Sequence, residues 1–270
     1  MAADANRDPL FDALVGHFSG GLPRAELPPD VLESLGHELA ASGLVRRELL
    51  ALWNLLQDAL HRARWRIPHS VRLLNLACGP CVEGAVLAAL FGQGGTGSLR
   101  FFGMDLRGQQ IEDARRRYAA TEAIFRVAGI PVVEERSARP AVEFFADDAT
   151  RLAGYREIPD AYEVIFIRHQ NVWHDTEAWR RIYAFALDRL ADPAGILVLT
   201  SYFDREHLIA LDMLRALGGQ LVVSLPNPDT IPLDYPGKST DRHLAVIRRP
   251  PNHQILETSN LEPRVLNLES

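Results

Sequence analysis

A doubly wound, mostly parallel, seven-stranded α/β sheet behind an N-terminal helical cap is the fold class this sequence predicts. Three observations predict it. Apolar runs alternate with helix-forming runs from Val71 to Ile247, the pattern of a parallel sheet covered by helices. The first run, Val71 to Leu76, ends in a turn of small residues, Ala77-Cys78-Gly79-Pro80-Cys81, and a helical run follows at once. The second run, Leu99 to Met104, ends on an acid, Asp105. Strand, tight turn and helix open a nucleotide-binding unit, because small residues let backbone approach a ligand and the helix N-terminus adds a positive dipole end. An acid at the tip of the second strand is placed to hydrogen-bond a ribose.

The elements follow in order. Pro9 to Phe18 forms a short helix, broken by Gly20-Gly21-Leu22-Pro23. Asp30 is the expected N-cap of the next helix, with Glu33 completing a capping box. Leu44 to Arg66 reads as one long amphipathic helix, with Leu49, Leu52, Trp53, Leu56 and Leu60 near helical spacing and Pro68 as its stop. Residues 1–67 therefore form a helical cap, read either as a lid or substrate-selecting wall, or as a packing extension or homodimer face. Strand one is Val71 to Leu76 and helix one Val82 to Phe91, before a surface loop from Gly92 to Gly97. Strand two is followed by a helix from Gln109 to Val127 and a short strand from Pro140 to Phe145. Strand four is Tyr162 to Ile167, with a helix from Thr176 to Leu190. Strand five is Ile196 to Thr200, with a helix from Arg205 to Leu217. Leu221 to Leu225 and His243 to Ile247 close the sheet as a pair joined by a Pro/Gly-rich loop, which permits an antiparallel edge. The main domain spans 68–250, and the aperiodic tail 251–270 is an arm.

Bulk properties narrow the function. A length of 270 residues suffices for one sizeable α/β domain with an appendage. The net charge of −6 argues against a nucleic-acid partner. Local arginine clusters (Arg62, Arg64, Arg66; Arg115 to Arg117) read as solvated helix faces. No apolar run is long enough to cross a membrane, and the N-terminus lacks a signal peptide's pattern, so the expected location is cytoplasmic. Cys78 and Cys81 are the only cysteines. Their C-x-x-C spacing suits a redox pair or half a metal site, but no second ligand pair exists, so they read as small packing residues and no metal is expected.

The first turn does not suit a dinucleotide. A G-x-G-x-x-G fingerprint laid on Ala77, Gly79 and Val82 finds one glycine of three, and a branched valine disturbs close helix–strand packing. S-adenosylmethionine carries no pyrophosphate and tolerates a less glycine-rich turn. Leu73 to Cys81 resembles motif I of class I S-adenosylmethionine-dependent methyltransferases, with Asn75 where that motif often has an acid and Cys81 where it usually has glycine. Three further blocks continue the likeness: Gly103-Met104-Asp105-Leu106 with Ile111 to Arg115, Phe145-Ala146-Asp147-Asp148-Ala149, and Leu190 to Val198. The resemblance spans residues 71–200 and implies a Rossmann-like methyltransferase fold. It implies that Ala77, Cys78 and Gly79 approach the cofactor, that Asp105 binds its ribose hydroxyls with Leu106 beside it in the site, and that Asp148, with Asp147 as the alternative, accepts from the adenine amino group next to Ala149. A weaker likeness to chemoreceptor glutamate methyltransferases (Glu83, Ala114-Arg115 with Tyr118, and Val164 to Val172) implies that Glu83 meets the cofactor's amino group. It also implies that Arg168 and Asn171 line the pocket.

The segment Arg168 to Asp175 carries the candidate chemistry, since open α/β sheets bind ligands at the carboxyl ends of their strands. His169 or His174 is the candidate base, and Arg168 the candidate clamp for a carboxylate. Trp173 reads either as a stacking surface or as core, and Asp175 as a helix cap. Tyr202, Phe203 and Tyr235 read equally as acceptor-pocket walls and as packing. No Asn/Asp-Pro-Pro-aromatic motif follows strand four, and the basic surface expected for RNA is missing. The expected function is therefore methyl transfer from S-adenosylmethionine to a small molecule. The alternatives are an aminocarboxypropyl transferase using the same cofactor, a non-catalytic cofactor-binding module, and, disfavoured by the glycine pattern, a nicotinamide-dependent oxidoreductase.

Overall fold

The computed structural model describes residues 9–19, 24–44, 46–92, 98–127, 142–151 and 158–250. The Gly20 to Pro23 break, the loop from Gln93 to Gly97, the start of the third strand at Pro140 and the tail beyond Pro250 lie outside them. Three helices lead: α1 (Pro9–Phe18), α2 (Pro29–Ser42) and α3 (Arg47–Arg62). The alternating unit follows as β1 (Ser70–Leu76), α4 (Gly84–Phe91), β2 (Ser98–Asp105), α5 (Gly108–Val127), β3 (Val142–Ala146), β4 (Val164–Arg168), α6 (Thr176–Asp188), β5 (Ile196–Ser201) and α7 (Asp204–Ala216). The chain closes with β6 (Gln220–Pro226) and β7 (His243–Arg248).

The seven strands form one sheet in the order β3-β2-β1-β4-β5-β7-β6. Strands β1 to β5 are parallel, and β7 runs antiparallel between β5 and β6. The expected antiparallel edge is thus present, with β7 inserted rather than appended. The order reverses between β1 and β4, the switch point at which such sheets open a crevice outside their strand ends.

Side-chain alternation divides the core by face. Val71, Leu73, Phe101, Val164, Phe166 and Val198 point to one side, where α1 to α5 cover them. Leu74, Leu76, Phe102, Ile165, Ile167 and Leu197 point to the other, beneath α6 and α7. Helices α1 to α3 share one continuous core with the sheet rather than a core of their own, with Trp53 fully buried in it. The Trp65 indole N–H reaches Ala194 O at 2.7 Å, tying the end of this helical region to the turn before β5.

Several boundaries differ from the sequence expectation, each for a local reason. Helix α2 starts at Pro29 with Pro28 as N-cap, not Asp30, because proline suits the first helical position and lacks the amide a cap would satisfy. Helix α3 ends at Arg62 rather than Arg66, since Arg64 takes a left-handed backbone (φ 49°). Helix α4 starts two residues later than Val82 because Cys81 is also left-handed (φ 46°) and extends the turn. Tyr162 makes only an isolated bridge to Leu190 and precedes β4.

Gly103 in β2 is required by close approach. A Cβ there would lie 2.4 Å from the Phe144 ring of β3. Gly103→Ala is expected to lower unfolding free energy by about 1–3 kcal/mol, the usual penalty for overpacking a buried contact, read as a lower urea midpoint.

Candidate functional site

The carboxyl ends of β1, β2, β3, β4 and β5 meet on one edge of the sheet, so their short following turns share one surface. The β1 turn is the most contorted. Ala77 (φ 53°), Gly79 (φ 54°) and Cys81 (φ 46°) are left-handed at alternate positions. That conformation costs a residue bearing a Cβ about 1–2 kcal/mol, and such strain collects at functional sites. Two contacts hold it. The Cys78 amide donates to Met104 O at 2.9 Å, and the Gly79 amide donates to Asp105 Oδ2 at 2.8 Å.

Asp105 therefore does structural work at the predicted ribose position. Its Oδ1 also accepts from the Arg107 amide at 2.9 Å and the Arg107 Nε at 3.0 Å. Burial pushes its carboxyl up, but the Arg107 and Gly79 hydrogen bonds outweigh burial and hold it below the ordinary aspartate value. Leu106 follows directly and is 71% exposed, an apolar side chain standing free beside a buried acid. At the β3 tip, the Asp147 amide donates to Asp105 O at 3.0 Å, which joins the two tips. Asp147 Oδ1 accepts from the Asp148 amide at 2.6 Å, and Asp148 Oδ1 from the Thr150 amide at 2.9 Å. Asp148 is held low mainly by that Thr150 bond. Ala149 is buried beneath them.

The β4 tip is an ion network. Arg168 is 8% exposed. Its Nε and Nη2 form a two-pronged pair with Asp241 at 3.0 and 2.6 Å, and its Nη1 donates to Glu83 Oε2 at 3.1 Å. Glu48 of α3 adds a third carboxylate at 3.5 Å. Burial opposes the charge on Arg168, but these carboxylates outweigh it and hold the guanidinium above its ordinary value. Asp241 is the converse: burial raises it, and Arg168 and His169 hold it far below the carboxylate range. Arg168 was expected to clamp a substrate or cofactor carboxylate; its donors are instead turned onto carboxylates of its own chain. Both Glu83 oxygens are likewise engaged, Oε1 by Asn75 Nδ2 at 2.7 Å. The buried Asn75 Oδ1 beside them has no hydrogen-bond partner, so this corner has a surplus of acceptors.

His169 is left-handed (φ 57°), and its ring stacks on Tyr202 at 3.7 Å between centroids. Its Nε2 accepts from the Asp241 amide at 3.0 Å and lies 2.9 Å from Asp241 Oδ1. Burial lowers the His169 pKa more than Asp241 raises it, which leaves the ring neutral at neutral pH. The remaining predicted residues diverge. Asn171, Trp173 and His174 are exposed, and Asp175 caps α6 by accepting from the Ala178 amide at 2.9 Å. Trp173 meets Phe203 edge-on at 5.1 Å, and Phe203 meets Tyr235 at 5.8 Å.

Sequence reasoning missed Asp241, Glu48, Glu206 and Lys238. Asp241 stands just before β7 at the end of the Pro/Gly-rich loop, where no local pattern separates it from a turn acid. Glu48 sits in the first turn of α3, where an acid suits the dipole without any further role. Glu206 is fully buried at the start of α7, with Oε2 accepting from the Tyr202 amide at 2.6 Å and Oε1 unpartnered. Cys78 and Cys81 are buried free thiols, and the Cys81 thiol is raised by its contact with Cys78 and by burial. Among the described residues no group of His, Cys, Asp and Glu could hold a metal ion.

Two outcomes follow from this charge arrangement. Arg168→Met, which leaves Asp241 and Glu83 buried without their cation, is expected to cost about 3–5 kcal/mol of unfolding free energy, read by urea titration. Glu206 supplies a pH signature. Burial pushes its carboxyl up to about 7 from an ordinary 4.5, so folding favours the protonated form. That contribution is whole below pH 4.5 and is lost as pH rises through about 7. Glu206→Gln keeps an acceptor for the two amides and cannot ionise. It is expected to exceed the wild type by up to about 3 kcal/mol at alkaline pH and to match it in acid.

No family model matches the chain, and no curated protein matches it. Solved structures do. An S-adenosylmethionine-dependent methyltransferase from Clostridium acetobutylicum superposes with a TM-score of 0.50 at 9% identity, covering 80% of this chain and 98% of that one. A TehB-like S-adenosylmethionine-dependent methyltransferase from Corynebacterium glutamicum gives 0.48 at 16% identity, over 80% and 94% of the two chains. A ribosomal protein L11 methylase from Lactobacillus delbrueckii gives 0.45 at 12%, over 73% and 79%. Together with the strand order, the Clostridium likeness gives this chain the fold of the class I S-adenosylmethionine-dependent methyltransferases.

Proposed function

We propose that the chain binds S-adenosylmethionine at the carboxyl edge of β1 to β4 and transfers its methyl group to a small-molecule acceptor. The observation that carries this reading is the β2 tip: a buried Asp105 that braces the strained Gly79 turn, followed at once by the exposed Leu106. An apolar side chain there offers a face for adenine, and the acids at the β2 and β3 tips offer acceptors for ribose hydroxyls and the adenine amino group. The acceptor-rich corner of Asn75 and Glu83 suits an ammonium donor and not a pyrophosphate. The residues present thus fit the cofactor: Ala77, Cys78 and Gly79 by backbone, Asp105 and Leu106 at the nucleoside, Asp147, Asp148 and Ala149 near the base, and Glu83 with Asn75 at the methionine end. Once bound, the cofactor supplies an electrophilic methyl group on a sulfonium.

The rest is the work of this chain. Holding the acceptor in line and dry supplies much of the rate. His169 is neutral, stacked on Tyr202 and held at Nε2 by the Asp241 amide, and is the candidate base at this edge. Arg168 keeps Asp241 ionised and so positions the base without touching the substrate. Glu48 brings α3 to this edge and supports a site wall built partly from the N-terminal helices. A small acceptor is favoured because the net charge is −6 and the loop between β6 and β7 folds over the edge. Among the described residues no helix is long and apolar enough to cross a membrane.

Calorimetric titration with S-adenosylhomocysteine tests the reading. Asp105→Ala is expected to weaken binding about tenfold or more, from the loss of charge-assisted hydrogen bonds and of the turn it braces. Leu106→Ser weakens it without disturbing that brace. Wild-type protein that responds to a nicotinamide dinucleotide and ignores S-adenosylhomocysteine overturns the assignment. Cofactor labelled on the methyl group, incubated with candidate acceptors, separates methyl transfer from aminocarboxypropyl transfer.

A further inference from the structure

The chain holds a single lysine among its 29 basic Lys and Arg residues, and Lys238 is that residue. It lies on the loop between β6 and β7. That loop is pinned to the turn after β5 by the Ser239 amide donating to Tyr202 O at 3.1 Å. The Lys238 Nζ stands 4.3 Å over the Tyr202 ring. Since His169 stacks on Tyr202 at 3.7 Å, the ammonium and the imidazole occupy opposite faces of one tyrosine.

Three arginines at this edge are matched by carboxylates. Arg168 pairs with Asp241 and Glu83, Arg107 with Asp105 at 3.0 Å, and Arg242 with Asp204 at 2.6 Å. Lys238 has no carboxylate within ion-pair distance among the described residues. The acid that faces it electrostatically, Glu206, is buried and half-neutral near pH 7. Beside Lys238 is an open hollow of about 580 Å³, lined by Pro232, Leu233, Tyr235, Lys238 and Arg242. Its wall also carries Thr230, Asp234 and Ser239, and its apolar members Tyr235 and Leu233 are 65% and 37% accessible; Phe203 meets Tyr235 edge-on and leads on to Trp173, 39% accessible. Half of the large apolar side chains exposed among the described residues gather here. A hollow of this volume suits a small organic molecule, and aromatic rings gain from edge and face contacts with another ring.

We propose that Lys238 anchors the carboxylate of an aromatic acid whose ring lies against Tyr235, Phe203 and Trp173, and that this acid class supplies the methyl acceptor. One ammonium matches one monoanion, whereas a phosphate dianion calls for several charged donors; here Asp234 opposes a dianion, and Arg242 already has its charge matched by Asp204 through Nε and Nη2. The proposal rests on the methyl-transfer reading for the acceptor role, but the binding does not.

The test is titration of the wild-type protein with 4-hydroxyphenylacetate, its amide and phenyl phosphate, read by calorimetry. The acid is expected to bind about tenfold more tightly than the amide, the usual worth of a charge-assisted hydrogen bond. Lys238→Met is expected to erase that preference, and Lys238→Arg to restore most of it, while urea midpoints check that both variants fold. Equal binding of acid and amide, tighter binding of the phosphate, no binding of the acid at millimolar concentration, or an unchanged preference in Lys238→Met each overturn the proposal. A wild-type protein that binds the acid and ignores S-adenosylhomocysteine refutes methyl transfer alone.

Discussion

One buried guanidinium organises the functional edge. Arg168 joins the tip of β4 to the turn after β1 through Glu83, to the start of β7 through Asp241 and to α3 through Glu48. These four segments are far apart in the chain, and no apolar contact could set their relative positions with such directional constraint. The network is not a cheap source of stability, since removing charges from water costs several kcal/mol per ion and a well-packed apolar core often does better. Its value is geometric. It holds Asp241 ionised, Asp241 orients His169, and the stacked Tyr202 fixes the ring on its other side.

The charge count of this corner is also informative. One arginine faces three carboxylates, and a buried Asn75 oxygen accepts nothing. Buried polar groups are almost always paired, so such a surplus of acceptors marks a place where a donor belongs. A ligand ammonium is the complement that chemistry supplies. The same edge carries the opposite charge at Lys238, which has no acid within ion-pair distance among the described residues. The edge is therefore polarised, acceptor-rich around Asn75 and Glu83 and cationic at Lys238.

Backbone strain is distributed in the same way. Ala77, Cys81 and His169 are non-glycine residues held left-handed at the ends of β1 and β4. Each is retained by a contact from another strand: Met104 O and Asp105 for the first turn, Thr200 O for the His169 amide at 3.1 Å. The turns are thus shaped by their neighbours in the sheet and not by their own residue preferences.

That distinction decides what could be read from the chain itself. Hydrophobic alternation, turn residues and strand-end acids are local, and they sufficed for the sheet, the helix order and the placement of Asp105, Leu106, Asp147 and Asp148 at strand tips. They could not show that Arg168 turns its donors onto its own chain, because its partners Glu83 and Asp241 are distant in sequence and nothing local pairs them with it. Nor could they reveal Lys238 beneath Tyr202, since a lysine in a Pro/Gly-rich loop looks like any solvated charge. Periodicity records which way a side chain faces. Which charge meets which is settled only when the parallel strands bring their ends to one edge, where burial makes pairing obligatory.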